Sequence, residues 1–251
     1  MIGKKIKAAD EMSVKIFADG ADKSGMLDMY KNTWIKGFTT NPTLMRKAGI
    51  SDYEQFARDI ISCIPDRPIS FEVFSDDFSQ MHAQAMKIKS WGKNVYVKIP
   101  VSNTKGESSV PLVRELANEG VKQNVTALMT LQQVEDVNNA LAKGPAACIS
   151  VFAGRIADTG RDPLPMMKTS LQIMADNPQL ELIWASPREL LNIIQADEIG
   201  CHIITVTNDL LKKLSLVGKD LAQYSLETVQ MFRADAVNAG FTLAVEELMT
   251  T

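Results

Sequence analysis

Eight short, β-rich apolar runs recur along this chain, and helical stretches separate them. The runs fall at 14–19, 37–40, 69–73, 95–100, 124–128, 147–152, 180–186 and 202–206. Several are nearly continuous in apolar character, as in Cys148-Ile149-Ser150-Val151-Phe152. Such runs suit parallel strands covered on both faces, because helical crossovers then lie over the sheet. Phe78, Met81, Ala85, Met86 and Ile88 recur at helical spacing within 75–91, and the segments 108–119 and 131–141 follow the same period. Gly144-Pro145 and Asn177-Pro178 mark two helix ends. About eight β/α units is the number a closed barrel needs. The expected fold class is α/β, a single (β/α)8 TIM barrel with an extra C-terminal helical tail. A doubly wound sheet is the alternative, but no G-x-G-x-x-G follows the first run.

The 251 residues suit one such domain, with a core large enough to need no staple. Residues 1–13 are polar and irregular and read as an N-terminal arm. The barrel is expected over 14–217 and the tail over 218–251, with a helix at 221–238.

Net charge is −3, and the Lys and Arg residues are scattered rather than gathered into a stripe. That argues against a nucleic-acid partner. No stretch approaches the ~18 apolar residues of a membrane span. Cys63, Cys148 and Cys201 sit in apolar surroundings and read as buried, reduced thiols. With no signal-peptide pattern at the N-terminus, cytoplasmic residence is expected. Only His82 and His202 are present, a poor supply for a catalytic zinc or a histidine-dependent hydrolase. Neither metal nor cofactor is expected, although His202 remains open as a lone catalytic group.

Barrel enzymes take their catalytic groups from the C-terminal ends of several strands. Read that way, the chain offers Asp19, Thr40 and Asn41, Glu72, Lys98, Asn124 and Thr126, then Ser150, Phe152 and Arg155, and finally Ser186 and Arg188. Lys98 lies inside Val-Tyr-Val-Lys-Ile-Pro. Two readings compete for it: a lysine snorkelling from an edge strand, or one aimed into a barrel bore. In the bore, desolvation would favour the neutral amine, which can attack a carbonyl and form a Schiff base. Asp19 is either a helix N-cap or an acid/base group, and Asp22 is the better N-cap candidate. Glu72 is a carboxylate inside an apolar run and needs a partner or a proton. Arg155 and Arg188, with Ser186, fit either a phosphate clamp or ordinary ion pairs with Asp158 or Glu189.

Taken together, these runs resemble the transaldolase family, which includes fructose-6-phosphate aldolase. The resemblance rests on Phe17-Ala18-Asp19-Gly20-Ala21-Asp22, Thr39-Thr40-Asn41-Pro42, Val97-Lys98-Ile99-Pro100, Asn124-Val125-Thr126, Ser150-Val151-Phe152-Ala153-Gly154-Arg155 and Ala185-Ser186-Pro187-Arg188. It spans roughly residues 14–210. It implies a metal-free class I mechanism without a cofactor, and transfer of a dihydroxyacetone unit between sugar phosphates of the pentose phosphate pathway. Lys98 then matches the Schiff-base lysine, and Asp19 the acid/base at the substrate C4 hydroxyl. Glu72 and Thr126 match the pair that positions a catalytic water. Asn41, Asn124 and Ser150 match groups holding the dihydroxyacetone part, with Thr40 and Phe152 beside them. Arg155, Ser186 and Arg188 match the phosphate site. Glu72 and Phe152 follow the transaldolase side of the family, since the aldolase subgroup carries Gln and Tyr there. Pro187 departs from the apolar or aromatic residue usual at its position. A homo-oligomer is implied as well. The alternatives are an aldolase that releases free dihydroxyacetone and a non-catalytic barrel that only binds a sugar phosphate.

Overall fold

A computed structural model of the chain describes residues 7–243. Its strands and helices alternate in the order β1 (Lys15–Asp19), α1 (Lys23–Tyr30), β2 (Ile35–Thr39), α2 (Pro42–Lys47), α3 (Tyr53–Cys63), β3 (Ile69–Glu72), α4 (Phe78–Lys89) and β4 (Val95–Pro100). There follow α5 (Val110–Asn118), β5 (Gln123–Leu128), α6 (Leu131–Leu141), β6 (Ala147–Val151), α7 (Ala153–Asp158), α8 (Leu164–Ile173) and β7 (Leu180–Trp184). The order ends with α9 (Leu191–Glu198), β8 (Ile203–Thr207), α10 (Asn208–Leu211) and α11 (Leu221–Asn238). All eight strands are parallel, each pairs with its sequence neighbours, and β8 closes on β1 from Lys15↔Ile203 to Asp19↔Thr207. The closed barrel rules out the doubly wound alternative.

The chain divides into two compact units, one ending at Leu214 and one beginning at Ser215. The first holds the barrel. The second holds α11, which occupies the span expected for it and is capped by Asp220 accepting from the Gln223 N–H. Of the expected N-terminal arm, residues 7–13 are described; Asp197 of α9 accepts from the Ser13 and Val14 amides and pairs with Lys7 at 2.8 Å.

Strand alternation explains the layering. Val95, Val97 and Ile99 of β4 join the main core between sheet and helices. Tyr96 and Lys98, of opposite parity, face the bore. The bottom of the bore is apolar, built from Phe17, Tyr96, Cys148, Ile183 and Ile203. Gly37 is required here, because a Cβ on it would lie 2.5 Å from the Phe17 ring. Above this floor β1, β4, β6 and β8 change to the polar residues Asp19, Lys98, Ser150 and Thr205, whereas β7 continues with Ala185.

The expected strands agree with those found to within a residue or two, and the exceptions have local causes. β2 starts earlier, at Ile35, and stops before Thr40 because Asn41 caps α2 with Pro42 in its first turn. β7 stops at Trp184, because Ser186 takes a left-handed φ of 59°. Asp77 caps α4, which therefore begins at Phe78, inside the expected 75–91 stretch. Asp22 is an N-cap as expected, accepting from the Gly25 amide at 2.7 Å. Cys148 and Cys201 are buried free thiols, whereas Cys63 is only half-buried. Burial pushes the Cys201 thiol up to about 12, which leaves it protonated and unreactive at neutral pH.

Candidate active site

At the C-terminal end of the barrel a cavity of about 500 Å³ opens to the surface. It is lined by the polar layer of the bore and by the loops above it.

Lys98 is only 7% exposed, which excludes the snorkelling reading. Its strand pairs Glu72 directly opposite Lys98, so both side chains enter the bore side by side. The Lys98 Nζ lies 3.0 Å from Glu72 Oε2 and donates to the Thr40 carbonyl at 2.9 Å. Two acceptors thus hold the amine at one point in the cavity.

Asp19 is paired in register with Thr39 of β2, whose hydroxyl donates to Asp19 Oδ1 at 2.7 Å. The Thr39 hydroxyl also meets that of Thr205 on β8. Burial raises the proton affinity of the Asp19 carboxyl; Lys98 and the Thr39 hydroxyl oppose this, and the Glu72 charge adds to it. A carboxyl tuned upward in this way suits a group that takes and returns a proton.

A second polar chain crosses the bore. Ser150 of β6 donates to Asn124 of β5 at 2.7 Å, and the Asn124 amide donates to the Ser70 hydroxyl of β3 at 3.0 Å. The buried Thr126 hydroxyl faces the same cavity and finds no protein partner among the described residues.

The rim is built by a close approach of two loops. A Cβ on Gly154 would fall 1.5 Å from the Ser186 carbonyl oxygen, so only glycine permits this contact. It brings the first turn of α7, with Arg155, against the loop carrying Ser186 and Arg188. Arg188 donates through Nε to Asp158 at 2.9 Å and makes a second, shorter contact to the same carboxylate. The ion-pair reading therefore holds for Arg188 in this conformation, and Arg188 holds the Asp158 carboxyl below the usual carboxylate range. Both arginines nonetheless line the cavity, so the pair stands at its edge.

Of the residues singled out in the sequence, Asp19, Asn41, Glu72, Lys98, Asn124, Thr126, Ser150, Phe152, Arg155, Ser186 and Arg188 all line the cavity. Thr40 does not. Bore-facing parity in β2 belongs to Gly37 and Thr39, so the Thr40 side chain turns away and donates to the Ser70 carbonyl. Its contribution is the carbonyl that receives Lys98. Asn41 has a double duty, since its Oδ1 also accepts from the Leu44 amide as the α2 cap. His202 lies outside the cavity, where its Nδ1 accepts from the Leu182 amide and burial lowers its pKa. Ser70 and Thr205 are bore residues that strand ends alone do not disclose, and Thr39, the last residue of β2, joins them. The alternation Gly37, Thr39 and Ile203, Thr205 would have found two of them.

Among the described residues, His82, Glu115 and Glu119 form one group of ligating side chains close enough to surround a cation. They stand on the outside of the barrel at α4 and α5.

A family model described as transaldolase/fructose-6-phosphate aldolase matches residues 16–244. The chain belongs to this family. Among its curated transaldolase/fructose-6-phosphate aldolase relatives, the "probable transaldolase 2" of Listeria monocytogenes is 35% identical over 203 residues, 80% of this chain and 88% of its own. The "probable transaldolase" of Dehalococcoides mccartyi is 33% identical over 202 residues, covering 80% and 90%. That of a Thermoanaerobacter species is 31% identical over 233 residues, covering 92% and 100%. Among solved structures, a 2,3-dimethylmalate lyase superposes with a TM-score of 0.53 at 13% identity, over 97% of this chain and 89% of that one. A structure titled KGPDC from Streptococcus mutans gives 0.54 at 9% identity, over 82% and 99%. At these identities the two structures support the barrel fold of this transaldolase/fructose-6-phosphate aldolase family member and nothing finer.

Proposed function

We propose that the protein is a transaldolase that carries a dihydroxyacetone unit on Lys98 between sugar phosphates. The donors are sedoheptulose 7-phosphate and fructose 6-phosphate, and the acceptors are glyceraldehyde 3-phosphate and erythrose 4-phosphate. One observation carries the reading: a buried lysine amine held 3.0 Å from Glu72 in a bore shared with Asp19. Pure binding of a sugar phosphate has no use for such an arrangement.

The Lys98 amine adds to the donor ketone, water leaves, and a protonated imine forms. The C3–C4 bond then breaks with its electron pair drawn toward the imine, and Asp19 takes the C4-hydroxyl proton. The first aldehyde leaves while the three-carbon enamine stays attached to Lys98. An acceptor aldehyde accepts the enamine carbon, Asp19 returns its proton, and hydrolysis frees the product. Covalent attachment divides one hard step into easier ones. Glu72 and Thr126 hold the water of imine formation and hydrolysis. The polar chain through Asn124 and Ser150 holds the hydroxyls of the three-carbon unit, and Arg155, Ser186 and Arg188 take the phosphate.

The test is borohydride reduction in the presence of fructose 6-phosphate, followed by peptide mass mapping. A three-carbon adduct on Lys98 supports the mechanism; labelling elsewhere, or none, overturns it. Dependence of turnover on an acceptor aldehyde separates transfer from aldol cleavage. The same reading carries cytoplasmic residence and a homo-oligomer. The latter is supported by exposed Leu226, Val229 and Phe232 on α11, and light scattering of the purified protein checks it.

A further inference from the structure

β2 stops supporting β3 just where the chemistry begins. The two strands pair only at Phe38↔Ile69 and Thr39↔Ser70. The last backbone contact on this side is the Thr40 amide donating to the Ser70 carbonyl at 3.2 Å. After it, Asn41 and Pro42 turn the chain into α2. By strand alternation, the N–H and C=O of Glu72 point toward the same side as those of Ser70, where β2 offers nothing further.

The phenol of Tyr53, the first residue of α3, fills that place. Its hydroxyl accepts from the Glu72 amide at 2.8 Å and donates to the Glu72 carbonyl at 2.8 Å. One side-chain group thereby satisfies both backbone groups of the residue. On the other edge of β3, the Val73 amide donates to the Lys98 carbonyl at 3.1 Å. The ring is held in turn: it meets Phe71 and Phe74 edge-on at centroid distances of 6.3 and 5.5 Å, and Trp91 at 5.8 Å. Asp52 caps α3 by accepting from the Gln55 amide, which anchors the turn from which Tyr53 projects. Burial keeps the phenol protonated well above its ordinary range, so the hydroxyl remains both donor and acceptor.

We propose that Tyr53 is a positioning residue for Glu72: it replaces the missing strand partner and locks the end of β3 so that the Glu72 carboxylate stays against Lys98. This rests on the reading that Glu72 and Lys98 perform the imine chemistry. Tyr53 itself does not line the cavity and touches no substrate.

The test compares Tyr53→Phe, Glu72→Gln and the double variant, with rates normalised to folded protein. Tyr53→Phe keeps the ring and its packing and removes only the bridge. A misplacement of catalytic groups of around an ångström costs on the order of 100-fold, so kcat should fall about 10- to 100-fold with little change in donor KM. The pH profile of imine trapping should move with it. In the Glu72→Gln background the same change should have little further effect on kcat. An equal loss in both backgrounds, or an unaltered pH profile, would overturn the proposal and leave Tyr53 a packing residue. Amide exchange in the unmodified protein is an independent arm that needs no variant to fold. The Glu72 amide should be protected although it lies beyond the β2 ladder, and rapid exchange there would refute the bridge. If borohydride traps Lys98 in the wild type but Tyr53→Phe is indistinguishable from it, only this proposal fails. If the wild type gives no adduct, the imine reading fails and takes this proposal with it.

Discussion

Glu72 and Lys98 face each other because β3 and β4 pair them in register, and their charged atoms meet 3.0 Å apart inside the barrel. A shift of one residue in either strand would send one of the two side chains into the apolar layer under the helices. The contact between acid and amine is therefore a property of strand register, and it is supported from behind by the Tyr53 bridge. Replacing Lys98 with Met keeps the length and removes the amine. Loss of a nucleophile that acts with its neighbours as a unit costs on the order of 10⁴-fold or more in kcat. The Lys98→Met protein should fold, show activity reduced by at least that amount, and give no borohydride adduct; an adduct at another lysine would count against the assignment.

Asp19 makes a pH-dependent contribution to stability whose sign can be worked out. Its carboxyl binds a proton more tightly in the folded state than in the unfolded chain. Between the two pKa values the folded state holds more protons, so stability falls as pH rises through that window. Asp19→Asn removes the buried charge. Its Tm should exceed that of the wild type at neutral pH, and the difference should shrink toward zero as pH drops below the ordinary carboxylate range. Catalysis should be lost over the same series. Thermal scans from acid to neutral pH, with activity assayed in parallel, check both parts.

Arg188 enters the site already paired with Asp158, so under the transaldolase reading a phosphate has to share or displace that partner. Hydrogen bonds to charged groups contribute roughly 1.5–3 kcal/mol each. Arg188→Ala should raise KM for phosphorylated substrates by about 10- to 100-fold while leaving unphosphorylated analogues nearly unaffected. Equal losses for both kinds of substrate would point to a structural role at the rim.

Gly154 permits the rim to exist. Gly154→Ala would place a methyl group 1.5 Å from the Ser186 carbonyl oxygen, and backbone cannot yield cheaply. Overpacking of this kind costs about 1–3 kcal/mol or more. A lower Tm is expected, together with weaker use of phosphorylated substrates, because Arg155 and Ser186 must move apart. A wild-type Tm would show that the loops separate freely.

Phe152 decides the fate of the bound three-carbon unit under the transaldolase reading. Its ring lines the cavity and cannot donate a hydrogen bond. A phenol in its place would add a proton donor beside Glu72 and Thr126 and assist release to water. Phe152→Tyr should raise acceptor-independent formation of dihydroxyacetone relative to transfer, measured with and without erythrose 4-phosphate. If the wild type already releases dihydroxyacetone as fast without acceptor as it transfers with one, the aldolase alternative replaces the transaldolase reading.

The repeated alternation of buried strand and amphipathic helix was enough to point to a parallel α/β fold of about eight units, whereas closure into a barrel instead of a doubly wound sheet was decided by β8 pairing with β1. Lys98, Asp19 and Glu72 were legible as candidates, because a charged residue in or at the end of an apolar strand is costly unless a partner or a site surrounds it. The residues alone left Lys98 between an edge strand and the bore and Asp19 between a helix cap and an acid/base group, and their roles came from the family resemblance. What one-dimensional order does not contain is pairing across strands. The sequence does not say that Glu72 stands opposite Lys98, or which of the readings open for Arg188, a phosphate clamp or an ion pair with Asp158 or Glu189, the fold adopts. Tyr53 is the extreme case: nothing near it in sequence marks it, and its role arises only because β2 turns away one step before β3 ends. Side-chain type and periodicity are local quantities and survive in the sequence. Register, the closing of the barrel and the approach of Gly154 to Ser186 depend on distances between remote segments, which only the packed structure sets.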